Sequence, residues 1–93
     1  MKAGRVYRVR VQIHRINIPI TQAMIEAARD QAARYGITEI KLTVANGKTF
    51  LDATVSPRDD VWLPGPGRVP IKYGPVDAEV EYIFARELGP PGV

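Results

Sequence analysis

The chain has no cysteine, one histidine (His14) and ten acidic residues among 93. Without cysteine, disulfides and thiolate metal sites are excluded. With a lone histidine and few clustered carboxylates, the side chains from which hydrolases and metalloenzymes assemble their sites are scarce. Long hydrophobic runs are also missing: no apolar stretch approaches the roughly 18–20 residues of a membrane span. Met1-Lys2-Ala3-Gly4-Arg5 leads into a charged strand rather than an apolar leader core, so no signal peptide is expected. A soluble cytoplasmic protein without a membrane partner is the default expectation, and no cofactor is implied.

What is present suits one globular domain over residues 1–93. The composition is 45% hydrophobic and 25% charged, which is ordinary for a folded protein. A chain this short buries roughly 60–65% of the surface its unfolded form exposes, so its core is thin. The net charge of +3 and pI of about 9.5 permit nucleic acid as a partner without requiring it. Nine Arg against four Lys, eight Pro and few Asn fit a thermophile, although a GC-rich genome produces much the same bias.

The patterning predicts the elements. Tyr7, Val9, Val11 and Ile13 alternate with Arg8, Arg10 and Gln12 as in a half-buried strand. The parity then flips to Ile16, Ile18 and Ile20, which predicts a bulge near His14-Arg15. A helix over 21–35 follows, with Thr21 as N-cap, Ile20 and Ile25 as a hydrophobic staple and Gly36 at the left-handed position beyond its end. Its apolar arc holds Met24, Ile25, Ala28, Ala32 and Tyr35, and Asp30 and Arg34 are spaced to pair. Ile37–Ala45 and Lys48–Val55 flank Asn46-Gly47, the signal of a two-residue hairpin. That turn sets Leu42 opposite Leu51, Val44 opposite Thr49 and Ile40 opposite Ala53 on one face. On the other face it sets Lys41 opposite Asp52 and Thr43 opposite Phe50.

Residues 56–75 form a Pro/Gly-rich loop or arm, with room for a short strand at Val69–Lys72. In 76–88, Ala78, Val80, Tyr82 and Phe84 alternate with Asp77, Glu79 and Glu81. This favours a strand, although Gly74-Pro75 and Gly89-Pro90 would also serve as helix ends. Residues 89–93, Gly-Pro-Pro-Gly-Val, read as a disordered tail. The fold class is therefore α+β: a mainly antiparallel sheet of about four strands with one helix packed on one face, in the order β-α-β-β-loop-β. This order resembles half of a ferredoxin-like fold, which by itself assigns no function. Tyr82 and Phe84 are expected in the core with the strand-one apolar residues.

Four sets of residues carry candidate chemistry. Lys2, Arg5, Arg8, Arg10, His14 and Arg15 form a basic stripe in which Arg8, Arg10 and Arg15 are the candidate phosphate contacts, and alternate strand positions lie about 6.6 Å apart, close to a phosphate spacing. Phe50 is placed to stack on a base beside them. The competing expectation is that the first and last strands are neighbours and Glu79 and Glu81 neutralise the stripe. His14, at its bulge, is the side chain suited to general-base catalysis, as in a small ribonuclease, but an exposed strand histidine is the expected reading and no catalytic residue is assigned. Asp59-Asp60 with Asp52 offers oxygen ligands for a hard cation, but adjacent carboxylates beside proline more often shape turns, and no metal is expected. Trp62 and Leu63 lie in the Pro/Gly arm and suit partner binding, unless Trp62 folds back over the core. The leading expectation is a non-catalytic interaction module, homodimeric or oligomeric through the Trp62 arm and a sheet edge. Nucleic-acid binding is the alternative.

Overall fold

A computed structural model describes residues 1–89 apart from the Tyr73 side chain; the rest of the tail expected over 89–93 lies outside the described residues. It is an α+β fold of one helix and a five-stranded antiparallel sheet. The elements are β1 (Val6–Ile16), α1 (Gln22–Arg34), β2 (Ile37–Ala45), β3 (Lys48–Val55), β4 (Arg68–Tyr73) and β5 (Val76–Gly89), with sheet order β2-β3-β1-β5-β4. Because β3 is antiparallel to both β1 and β2, those two run parallel with β3 inserted between them. This is a split β-α-β unit. Where a second helix would complete such a double unit, the chain has residues 56–67 and β4.

The fifth strand corrects the expectation of about four. Arg68–Tyr73, inside the predicted loop, pairs along the outer side of β5 from Arg68 opposite Glu81 to Tyr73 opposite Val76. Pro70 blurred its signal, and an edge strand tolerates the missing N–H. The segment 76–88 is a strand, and it lies beside β1 as the charge pattern predicts.

Helix α1 forms where its caps put it. The Thr21 hydroxyl accepts the Met24 N–H at 3.2 Å. Gly36 has φ +76°, and a Cβ there would collide with the Ser56 carbonyl oxygen, so glycine is required twice over. The helix buries less than its apolar arc promises. Ile25 is buried, but Met24 is 42% and Tyr35 67% exposed. Among the described residues no second helix lies beside α1 to cover the flanks of the arc. The Asp30–Arg34 pair is not made; Arg29 instead reaches Glu26 at 3.8 Å and donates to the Ile40 carbonyl at 3.2 Å.

The buried apolar residues are Tyr7 and Val9 from β1, Ile25 from α1, and Ala78 and Val80 from β5. The strand residues among them share the sheet face toward α1, flanked by half-buried Val11, Ile13, Leu42, Leu51 and Tyr82. The hairpin register is as the Asn-Gly turn requires, with Leu42 opposite Leu51 and Thr43 opposite Phe50. It breaks between Thr38 and Lys41, where Glu39 and Ile40 bulge against Ala53 and Glu39 takes φ +53°.

Candidate functional site

Three irregularities along the β1–β5 ladder decide which side chains meet. Ile13 opposes Val80 and Arg15 opposes Glu79, so His14 is an extra residue in β1, at the position where the parity flip predicts a bulge. Val11 opposes Tyr82 and Arg10 opposes Phe84, so Ile83 is an extra residue in β5. Leu88 is a third, between Val6/Gly89 and Tyr7/Glu87. The Ile83 bulge reverses the parity of everything after it. Phe84, expected in the core, therefore stands on the open face with Arg10, 39% exposed.

That face carries the predicted stripe, and its centre is Arg10. Its Nε donates to Asp52 Oδ1 at 2.7 Å and its Nη2 to Asp52 Oδ2 at 3.1 Å, a two-pronged pair. The guanidinium carbon sits 4.8 Å from the Phe50 ring centroid and 6.0 Å from that of Phe84, both within cation–π range. Arg86 lies over the far side of this row, 6.0 Å from the Phe84 ring. Asp52 is only 8% exposed and also accepts the Thr43 hydroxyl at 3.3 Å. The hydrogen bonds from Arg10 hold its carboxyl below the usual carboxylate range against the opposing effect of burial, and Arg10 is raised in turn. Lys41 faces Asp52 in the ladder, as predicted, yet the planar fork of Arg10 takes the carboxylate instead.

Arg8 and Arg15 are paired too, only partly as the charge pattern implied. Arg8 donates to Glu39 at 3.3 Å and to the Thr54 hydroxyl at 2.9 Å, and that hydroxyl donates to Glu39 at 2.7 Å. Glu39 sits in the β2 bulge with left-handed backbone. Of the two carboxylates expected to neutralise the stripe, Glu79 pairs with Arg15 and Glu81 lies against His14, while among the described residues neither pairs with Arg8 or Arg10. Arg15 bonds Asp77 at 3.3 Å and Glu79 at 3.4 Å, which raises its pKa. His14 Nε2 lies 2.7 Å from Glu81 Oε1, with the His14 side chain 15% exposed. His14 thus has a carboxylate partner that sequence alone did not identify, and it lines an open hollow of about 430 Å³ with Gln12, Arg15, Ile20 and Lys48.

The structure brings Arg8, Arg10 and Phe50 onto one face and leaves Arg15 past the bulge. Asp52 is far from Asp59-Asp60 in role: Asp60 Oδ1 accepts the Ala3 N–H at 2.8 Å. Among the described residues no group of three metal-ligating side chains comes together, and no helix is long and apolar enough to cross a membrane.

The arm over 56–67 is fastened at its base. Ser56 N–H donates to the Gly36 carbonyl at 2.8 Å, and Gly4 N–H reaches that of Pro57 at 3.4 Å. The Val61 N–H donates to the Met1 carbonyl at 2.7 Å, and the Met1 ammonium to the Val61 carbonyl at 2.6 Å. The next residue, Trp62, is 95% exposed, while Leu63 is half-buried. Trp62 therefore does not fold back over the core. No family model, curated protein or solved structure matches this chain.

Proposed function

We propose that the chain is a small non-catalytic interaction module that self-associates, using the Trp62 arm and the adjoining sheet edge. The observation that carries this reading is Trp62, 95% exposed on an arm fastened to Met1 and Ala3. An indole left in water withholds roughly 200 Å² of largely apolar surface, on the order of 4–5 kcal/mol of burial. Tryptophan held this way is the usual anchor of an interface. Fastening the arm beforehand lowers the ordering cost of binding.

The arm runs directly into β4, an edge strand of the sheet. Pro70 removes one N–H from β4, and Lys72 adds a charge to it. Both features oppose indefinite strand-to-strand addition, so a closed pair of copies is favoured over a fibre. The arginine- and proline-rich composition fits a thermophilic source, and a cytoplasmic setting goes with this reading.

The test is mass by light scattering over a range of protein concentrations, for the native chain and for Trp62→Ala. The native chain is expected to exceed its monomer mass of 10.3 kDa as concentration rises, and Trp62→Ala to stay near it. Equal masses for the two at every concentration would overturn the reading.

A further inference from the structure

Among the described residues, the sheet face opposite α1 carries no helix and its charges do not balance. Each of its carboxylates has a partner: Glu39 has Arg8, Asp52 has Arg10, Asp77 and Glu79 share Arg15, and Glu81 has His14. Four cations on the same face, Lys41, Arg68, Lys72 and Arg86, make no ion pair among the described residues. Their ladder partners put them there. Lys41 opposes Asp52, Arg86 opposes Arg8, and Arg68 and Lys72 oppose Glu81 and Asp77.

The Arg8–Arg86 position is the least settled of these. Two guanidinium-bearing residues face each other directly across the ladder, an arrangement that costs stability unless an anion comes between them. Between the flanking cations runs the row Phe50, Arg10, Phe84 and Arg86, in which ring and guanidinium alternate across β3, β1 and β5. Asp52 beneath it anchors Arg10, so the row is preorganised.

Flat groups across the middle of a sheet with unpaired cations on both sides fit a polyanion that itself carries flat groups. We infer that this face binds single-stranded nucleic acid, with bases stacked along Phe50, Arg10 and Phe84 and phosphates taken by Lys41, Arg86 and Arg68. Stacking requires bases that are free of a partner strand, so a duplex uses only the cations. An acidic peptide also uses only the cations. Phe84 is the residue that separates this inference from the simple basic stripe, because the Ile83 bulge is what turns it to this face.

The experiment is fluorescence anisotropy of a labelled oligothymidylate and of a duplex of equal length at low and moderate salt. The single strand is expected to bind more tightly than the duplex and to weaken as salt rises. Phe84→Ala is expected to weaken single-strand binding about tenfold while leaving duplex binding unchanged. Arg86→Gln, an exposed substitution that keeps the test open if Phe84→Ala does not fold, is expected to lower the log–log salt slope by about one. Polyglutamate is expected not to displace the single strand at equal charge concentration. Absence of binding at low salt, equal affinity for the duplex, native affinity in folded Phe84→Ala, an unchanged salt slope in Arg86→Gln, or displacement by polyglutamate would each overturn the inference.

Discussion

The two faces of the sheet are held together by different physics. Toward α1, Val9, Ala78, Val80 and Ile25 are buried, with no charged residue among them. On the opposite face Arg8, Arg10, Asp52, Glu39 and Thr54 stand in paired contact, with phenylalanine rings flanking the central guanidinium. The first face is stabilised by area removed from water, which is indifferent to pH and not weakened by moderate salt. The second is stabilised by charge pairing, which weakens in acid and is screened by salt where it is exposed. A domain this small divides its sheet between a thin core and a charged surface that stays available.

The contrast breaks most severely on the apolar side. Ile25→Ala is expected to cost about 2–3 kcal/mol, the low end for truncating a core aliphatic residue, because Ile25 is the buried residue of α1. Urea titration reads this, and the loss should be the same at low and high salt.

Asp52→Asn comes next, and it sharpens the comparison through pH. The folded carboxyl titrates below its ordinary range because Arg10 hydrogen-bonds its charged form. Its stabilisation is thus complete above the unfolded value of about 3.9 and is lost as pH falls through the lower folded value. Asp52→Asn is expected to melt at lower temperature than the native chain at neutral pH, and the two should converge in strong acid. Calorimetry at both pH values checks the sign. The smallest effect is expected at the rim: Arg15→Gln removes two ion pairs from a side chain 52% exposed, and exposed pairs contribute little. Its urea midpoint should move barely at all, and less still with added salt.

The elements most legible in sequence are those fixed by local chemistry. Asn46-Gly47 counts out the hairpin register by itself, and Thr21 and Gly36 bracket α1. The His14 bulge is readable because apolar residues change parity across it. The Ile83 bulge is not, because Tyr82, Ile83, Phe84 and Ala85 are all apolar and a slipped register looks the same as an unslipped one. That one hidden residue moved Phe84 from the expected core to the candidate site.

The partner of Arg10 was hidden for a different reason. Asp52 was placed opposite Lys41 by the hairpin, but β3 has two neighbours, and the second is a matter of sheet order. Strand β4 is legible only as room for a short strand at Val69–Lys72, because Pro70 weakens its signal, and Met24 and Tyr35 stay exposed because no second helix among the described residues covers them. For Trp62 the sequence left open whether the indole turns inward or outward; the hydrogen bonds between Met1 and Val61 hold the arm where it turns outward.

Trp62 is the one tryptophan in the chain, so its emission reports on the interaction module without any label. The decisive measurement is the emission maximum as a function of protein concentration. The account predicts the red-shifted emission of a water-exposed indole in dilute solution, moving to the blue as copies associate over the arm. Emission already blue-shifted at the lowest concentration, or a red-shifted maximum that never moves, would contradict it.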